Sequence, residues 1–223
     1  MINAVIVEPR LHQYLEPVID NIIRNLPDES IIYIFHGILN IHFLQLKYGN
    51  NQKIKLINLN VTNLTVREYS NMLTTVNFWE QISGTNILIF QTDSCLCRPF
   101  NNSDLLLYKD FGYIGAPSKL YPSTWQNGGF SLRNRELMIQ AIKDKKPNES
   151  TWPEDRYFSV VKSHITKPAS YELAKNFSVE QFYSDKPFGI HKAWVYLKPN
   201  LWQTLKENYP EIKLFDKINE KKY

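Results

Sequence analysis

The stretch that most limits what this chain can fold into is TNILIFQTDSCLCR, Thr85 to Arg98. Ile87, Leu88, Ile89 and Phe90 form an unbroken apolar run that stops at Gln91, Thr92 and Asp93. A run without polar alternation predicts a strand covered on both faces, as in parallel sheets flanked by helices. In open sheets of that kind a ligand lies beyond the carboxyl ends of the strands. Asp93 falls there, and Gln91, two residues earlier, is expected to leave the same side of an extended chain. A carboxylate so placed can hold a divalent metal against a diphosphate, or can simply be an acidic turn residue. The stretch alone leaves both readings open.

The surrounding pattern supports the sheet. Ala4–Val7 reads as a first strand, stopped at Glu8-Pro9-Arg10. Leu15, Val18, Ile19, Ile22, Ile23 and Leu26 recur at helical spacing before Pro27. Ile31–Phe35 and Ile54–Leu59 read as further strands. Thr65 and Glu68 fit a capping box opening a helix that carries Met72, Leu73, Val76, Trp79 and Ile82 towards Gly84. This order, strand, helix, strand, strand, helix, strand, predicts a mostly parallel sheet with helices on its faces. Beyond Arg98 the glycines thicken. Tyr113-Ile114 reads as a short strand, Ser118–Gln126 as a loop, and NGGFSLRNRELMIQAI as a glycine elbow, a short strand and an Asn-capped helix. Glu154-Asp155 opens another helix, PFGIHKAW crosses back towards the site, and Trp202 and Leu205 belong to a last helix before a polar tail.

Composition excludes several classes. With 223 residues and 43% hydrophobic content the chain can bury one full core. A net charge of +4, spread along the chain apart from Lys217, Lys221 and Lys222, lacks the basic stripe of a nucleic-acid binder. No apolar run approaches the roughly 20 residues of a membrane span, and the start, MINAVIVEPR, lacks the features of a signal peptide. Two cysteines, Cys95 and Cys97, sit at alternate positions that face apart, which favours reduced thiols and a cytoplasmic setting.

Several residue groups bear chemistry. Gly128-Gly129 allows close backbone approach to a ligand or serves as a plain turn; neither dinucleotide nor P-loop glycine spacing is present. Glu154 and Asp155 are either cap carboxylates at a helix start or a general base for an acceptor hydroxyl. His191 is either a core histidine or, through neutral imidazole, a metal ligand. Oxygen ligands suit Mg²⁺ or Mn²⁺, and one imidazole tilts the choice towards Mn²⁺.

Taken together, VIVEPR, QTDS, YIGAPS, NGGFSLRNRELM, PEDRYFS, FSVE and PFGIHKAW resemble a family of domains of once-unknown function allied to GT-A glycosyltransferases, met in fungi, bacteria and large DNA viruses. The resemblance runs from about Val5 to Trp194. It implies a single GT-A-like, Rossmann-like α/β domain over residues 1–200, with a nucleotide-binding half (1–98) and an acceptor half (99–200), followed by a helix and polar tail (201–223). It implies a metal-assisted, inverting transfer from a nucleotide-diphosphate sugar, most naturally a UDP-sugar, to a hydroxyl of a glycan or glycoprotein. In a viral setting it implies glycan building for virion glycoproteins, carried out in the host cytoplasm. Gln91-Thr92-Asp93 takes the place of the DxD motif, with Gln91 where an acid is usual. Asp93 and His191 would hold the metal, Mn²⁺ or Mg²⁺, and Lys192 would meet the leaving diphosphate. Glu8 and Arg10 would border base and ribose, and Asn127, Gly128 and Gly129 the donor sugar. Trp125 or Trp152 would stack on the acceptor, Asp155 would be the base, and Glu154 would orient it or contact the acceptor. The departure at Gln91 keeps an alternative in view, a non-catalytic nucleotide-sugar or carbohydrate-binding module.

Overall fold

The computed structural model describes residues 1–121 and 124–221. Pro122, in the loop expected near the acceptor, and Lys222, in the terminal lysine cluster, lie outside the described residues. Nine strands are described: β1 (Ile2–Glu8), β2 (Ile32–His36), β3 (Ile54–Asn58), β4 (Asn86–Phe90), β5 (Ser94–Leu96), β6 (Tyr113–Pro117), β7 (Gln126–Asn134), β8 (Ser178–Val179) and β9 (Gly189–His191). The main sheet has the order β3-β2-β1-β4-β7-β6. Its first four strands are mutually parallel, whereas β7 runs antiparallel to both β4 and β6. From β1 the chain steps outwards to β2 and β3, then returns to place β4 on the other side of β1. That reversal leaves a crevice between the carboxyl ends of β1 and β4, which carry Glu8 and Gln91–Asp93.

The apolar run behaves as expected of a central strand. Leu88 and Phe90 join the cluster that holds Ala4, Ile6 and Ile34, covered by Leu15, Val18, Ile19 and Ile22 of α1 (Leu15–Asn25). Ile87 and Ile89 join the opposite cluster with Val5, Tyr33 and Phe35. There they pack beneath Leu73, Phe78 and Trp79, supplied by two helices, and beneath Met138 and Ala141 of a third. Each such side chain taken fully from water contributes about 1.5–3 kcal/mol, so the two faces together fix the strand's position.

The chain departs from the expected elements in four places. The segment after His36 forms α2 (Ile41–Tyr48), which the pattern missed because apolar Leu46 points to solvent, 91% exposed. The helix opened by Thr65 is two helices, α3 (Val66–Leu73) and α4 (Val76–Glu80). At the break, Thr74 Oγ1 donates to the Ser70 carbonyl at 2.9 Å and the Thr75 hydroxyl caps α4, local bonds that compete with a continuous helix. The capping box itself forms, with the Thr65 amide donating to Glu68 Oε2 at 2.7 Å and the Glu68 amide to Thr65 Oγ1 at 3.2 Å. Third, Gly128 and Gly129 are not an elbow before a strand but lie inside β7, a continuous strand of 9 residues. Fourth, the expected polar tail is a 3₁₀ segment, Pro210–Lys221, that puts Ile212 and Phe215 into the core beside Tyr14. The apolar pair recurs at the spacing of one 3₁₀ turn and so faces inwards, while Lys213 and Asp216 are exposed.

A second, small sheet, β5-β9-β8, sits beyond the end of β4. β5 pairs antiparallel with β9, Ser94 opposite His191, and β8 pairs parallel with β9, Val179 opposite Ile190. Cys95 and Cys97 are free and buried in and beside β5, and burial pushes both thiols up. No helix among the described residues is long and apolar enough to cross a membrane.

Candidate active site

The crevice beyond β1 and β4 opens into a cleft of about 340 Å³ lined by Glu8, Arg10, Thr65, Tyr69, Gln91–Asp93 and Lys192. An adjoining hollow of about 140 Å³ shares Val66, Tyr69, Gln91 and Lys192 with it, and continues to Asn127–Gly129, Glu154, Asp155 and His191. Residues far apart in sequence are thereby gathered at one edge of the sheet.

The donor-side corner is built from the turn after β4. Gln91 and Ser94 close it, the Gln91 amide donating to Ser94 Oγ and the Ser94 hydroxyl to the Gln91 carbonyl, both at 2.9 Å. The strand therefore ends before Gln91, so strand alternation no longer sets the directions of Gln91 and Asp93. Gln91 instead faces both hollows beside Tyr69. Asp93 Oδ1 lies 3.2 Å from His191 Nε2, and Oδ2 lies 3.1 Å from Lys192 Nζ. Burial pushes the Asp93 carboxyl up, but His191 and Lys192 outweigh it and hold the group well below the usual carboxylate range. Lys192 takes a left-handed backbone, φ 48°, uncommon for a residue with a side chain. In that conformation its amide donates to the Asp93 carbonyl at 2.9 Å while its ammonium reaches the carboxylate.

The same corner can hold a divalent metal. Asp93 Oδ1 and His191 Nε2 are buried and make no hydrogen bond among the described residues, yet they face each other across 3.2 Å. Ligand bonds of about 2.1 Å put neighbouring octahedral corners about 3 Å apart, so the two atoms fit adjacent positions on one Mg²⁺ or Mn²⁺. Among the described residues no cluster of three or more His, Cys, Asp or Glu accompanies them. Such a site would draw its other ligands from water and substrate phosphate, as Mg²⁺ sites do.

Glu8 does not face a ligand with free oxygens. Its carboxylate, 4% exposed, accepts from the Arg10 amide at 2.9 Å and from the Arg10 guanidinium at 2.8 and 2.7 Å. Its part is to fix Arg10, whose side chain is half exposed at the cleft.

The acceptor side is organised by Glu154 and Asp155 at the start of a short helix, Glu154–Arg156, that runs into a π-helical turn. The two adjacent carboxylates differ completely. Glu154 is buried and forked onto Arg133, 2.6 Å from Nη1 and 3.1 Å from Nη2. Arg133 is itself fully buried and stacked on Tyr113 and Phe158, and also donates to the Gly128 carbonyl. Glu154 is therefore committed to Arg133 while still lining the hollow. Asp155 has no such cation. Burial and the neighbouring Glu154 charge raise it to about 6, although the Arg156 amide and Trp125 bond to its ionised form. The Trp125 ring stacks on Tyr121, centroids 6.2 Å apart. Trp152 stands 44% exposed beside this helix, under the guanidinium of Arg67 at 5.3 Å.

The two glycines separate these halves. Neighbouring strand residues face opposite ways. A Cβ on Gly128 would lie 2.4 Å from Glu154 Oε1 and 2.7 Å from Arg133 Nη2. One on Gly129 would lie 2.2 Å from His191 Nε2. The glycines are needed for close approach of protein to protein: one seats the Glu154–Arg133 pair, the other the imidazole. Asn127 Oδ1 accepts from the Gly129 amide at 2.7 Å and steadies the strand there.

Sequence reasoning missed Tyr69, between the two hollows, Arg133, the partner of Glu154, and Glu180, whose carboxylate lies 3.5 Å from His191 Nδ1. Glu180 closes the FSVE motif, the one signal that marked it.

A family model described as "Protein of unknown function (DUF5672)" matches residues 53–191, well over half of the chain. The chain belongs to the DUF5672 family. The matched span of this DUF5672 protein takes in Asp93, both glycines, Asp155 and His191, and leaves out Glu8, Arg10 and Lys192. No protein of curated function matches it significantly. Among solved structures its fold is similar to that of the WbbM bifunctional glycosyltransferase in its apo form, with TM-score 0.57, 11% identity, 96% of this chain and 51% of that one. It is similar to the galactosyltransferase LgtC in complex with donor and acceptor sugar analogues, with TM-score 0.51, 11% identity, 92% of this chain and 94% of that one. It is also similar to S. aureus TarS 1-349 in complex with UDP-GlcNAc, with TM-score 0.52, 14% identity, 96% of this chain and 67% of that one. The DUF5672 chain spans about half of the WbbM chain and 39% of a longer TarS chain. Likeness at such identities shows the fold, and that fold is the GT-A glycosyltransferase fold expected from the sequence.

Proposed function

We propose that this protein is a glycosyltransferase that moves a sugar from a nucleotide-diphosphate sugar, most naturally a UDP-sugar, to a hydroxyl of a glycan or glycoprotein, with inversion. One observation carries the reading. A cation-lined corner and a raised carboxylate, Asp155, line two adjoining hollows that share Tyr69, Gln91 and Lys192, with Gly128 and Gly129 on the wall of the second. Neighbours of the same fold that were solved with UDP-GlcNAc, or with donor and acceptor sugar analogues, support the choice of substrates.

The chemistry follows from charge placement. The base and ribose lie near Glu8-fixed Arg10 and the diphosphate near Lys192. A divalent cation, Mn²⁺ or Mg²⁺, on Asp93 and His191 would supply Lewis-acid neutralisation of the leaving group. Asp155 accepts the proton of the acceptor hydroxyl. The oxygen bonds to the anomeric carbon as the carbon–phosphate-oxygen bond breaks, and its electron pair leaves with the diphosphate. A carboxyl near 6 is ionised at neutral pH yet basic enough to take that proton. Lys192 favours the charge that develops opposite, in a site partly closed to water.

The test is a thermal-shift screen of nucleotide-sugars with and without Mn²⁺, followed by transfer to a panel of glycans. A donor-specific rise in melting temperature together with transfer supports the reading. A protein that binds a nucleotide-sugar and never transfers or hydrolyses it would instead be a binding module.

A further inference from the structure

Glu180 is hard to account for as a piece of the core. It is 2% exposed, and a buried carboxylate costs several kcal/mol unless a partner offsets it. No salt bridge to Lys or Arg reaches it among the described residues. Its Oε2 makes no hydrogen bond there, and its nearest ionisable neighbour is His191 Nδ1 at 3.5 Å. The other ring nitrogen of His191 faces Asp93, so the imidazole lies between two carboxylates while Gly129 closes on its ring.

The small second sheet builds this row. Asp93 immediately precedes β5, His191 ends β9, and Glu180 follows β8. The three strands lie side by side in the order β5-β9-β8, so their pairing register sets carboxylate, imidazole and carboxylate in line. Two carboxylates thus face one imidazole from opposite sides, an arrangement in which a divalent cation would take the place of a proton on Nε2.

We infer that Glu180 is a positioning residue for a divalent cation: it accepts the Nδ1 proton of His191 and thereby turns the Nε2 lone pair towards Asp93. The inference rests on the proposed metal-assisted reading of this corner and names the group that makes the corner competent. Carboxylates behind a ligating histidine fix its tautomer and ring angle, and their loss typically weakens metal binding about 10- to 100-fold.

The experiment is a titration of the intact protein with Mn²⁺ alone, following free Mn²⁺ by its paramagnetic resonance, without donor or acceptor. Wild type is compared with Glu180→Ala, Glu180→Gln and His191→Ala, each first melted without metal to establish folding. Glu180→Ala is expected to bind about 10- to 100-fold more weakly. Glu180→Gln, whose amide oxygen still accepts the Nδ1 proton, recovers most of that loss. Glu180→Ala binding Mn²⁺ as tightly as wild type overturns the inference, as does a wild type whose Mn²⁺ affinity survives His191→Ala. Should the alanine variant not fold, nitrogen-15 spectra of the wild-type His191 ring with Mg²⁺ decide. A proton on Nδ1 supports the inference, and a proton on Nε2 overturns it. Transfer measured with EDTA present judges the glycosyltransferase reading separately, because a metal-free enzyme can transfer while this inference fails.

Discussion

Two carboxylates at opposite ends of one cleft are driven in opposite directions. Asp93 is clasped by His191 and Lys192 and held well below the usual carboxylate range; Asp155, partly buried beside Glu154, rises to about 6. The means differ as well. The Asp93 end is built on a small three-stranded sheet, whereas the Asp155 end is the start of a short helix. When environments push two titratable groups apart, their roles separate: a permanent anion for cations, and a base that can pick up and release a proton.

Replacing the base is the sharpest way to break the comparison. Asp155→Asn is expected to lower the transfer rate about 10²- to 10⁴-fold while donor binding persists, measured by single-turnover transfer and donor titration. In the wild type the rate should fall as pH drops through about 6, as the base takes its proton, and this limb should vanish from the residual activity of the variant. Stability moves the other way. A raised carboxyl penalises the folded state above about 6, and the penalty fades as pH falls towards the unfolded value. Asp155→Asn should therefore melt higher than wild type at pH 7–8, by about 1–2 kcal/mol in stability, and match it near pH 4.

Next in size is the neighbouring acid's partner. Arg133→Ala strands Glu154 without its cation and should cost about 3–5 kcal/mol, read by chemical denaturation. The glycines then tell the two ends apart. Gly128→Ala presses on the Glu154–Arg133 pair and should lower stability by about 1–3 kcal/mol. Gly129→Ala presses on the His191 ring, so its loss should show first in Mn²⁺ and donor affinity. Equal and purely structural effects would dissolve the distinction. The smallest effect belongs to Lys192→Ala, a half-exposed contact, which should weaken donor binding by about tenfold or less in a titration at low salt.

The fold was legible because its strongest signals are local. The apolar run of β4, the Thr65–Glu68 capping box and the Asn134 cap, which accepts from the Glu136 and Leu137 amides, each follow from a few adjacent residues. The site was legible only as residue types. That Glu154 belongs to Arg133, 21 residues away, or that Glu180 lies behind His191, depends on which strands pair, and no periodicity carries that. Gly128-Gly129 was noticed but for a different use, since the sequence cannot say that the approaching group is the protein's own imidazole or guanidinium. The two glycines lie within β7 where its pairing is irregular: β4 pairs only from Phe130 onwards, and the β6 register shifts between Ser131 and Gln126.

That pairing of β7 with β4 also decides how the molecule can be cut. Phe130 sits opposite Phe90, so a strand from the second half of the chain seals the flank of the last strand of the first half. A fragment ending at Arg98 would leave β4 with a bare row of amides and carbonyls beside apolar side chains, the kind of edge that recruits other chains and precipitates. The two nominal halves are thus inseparable as polypeptides, and dissecting donor from acceptor recognition calls for point substitutions along the cleft instead of truncation.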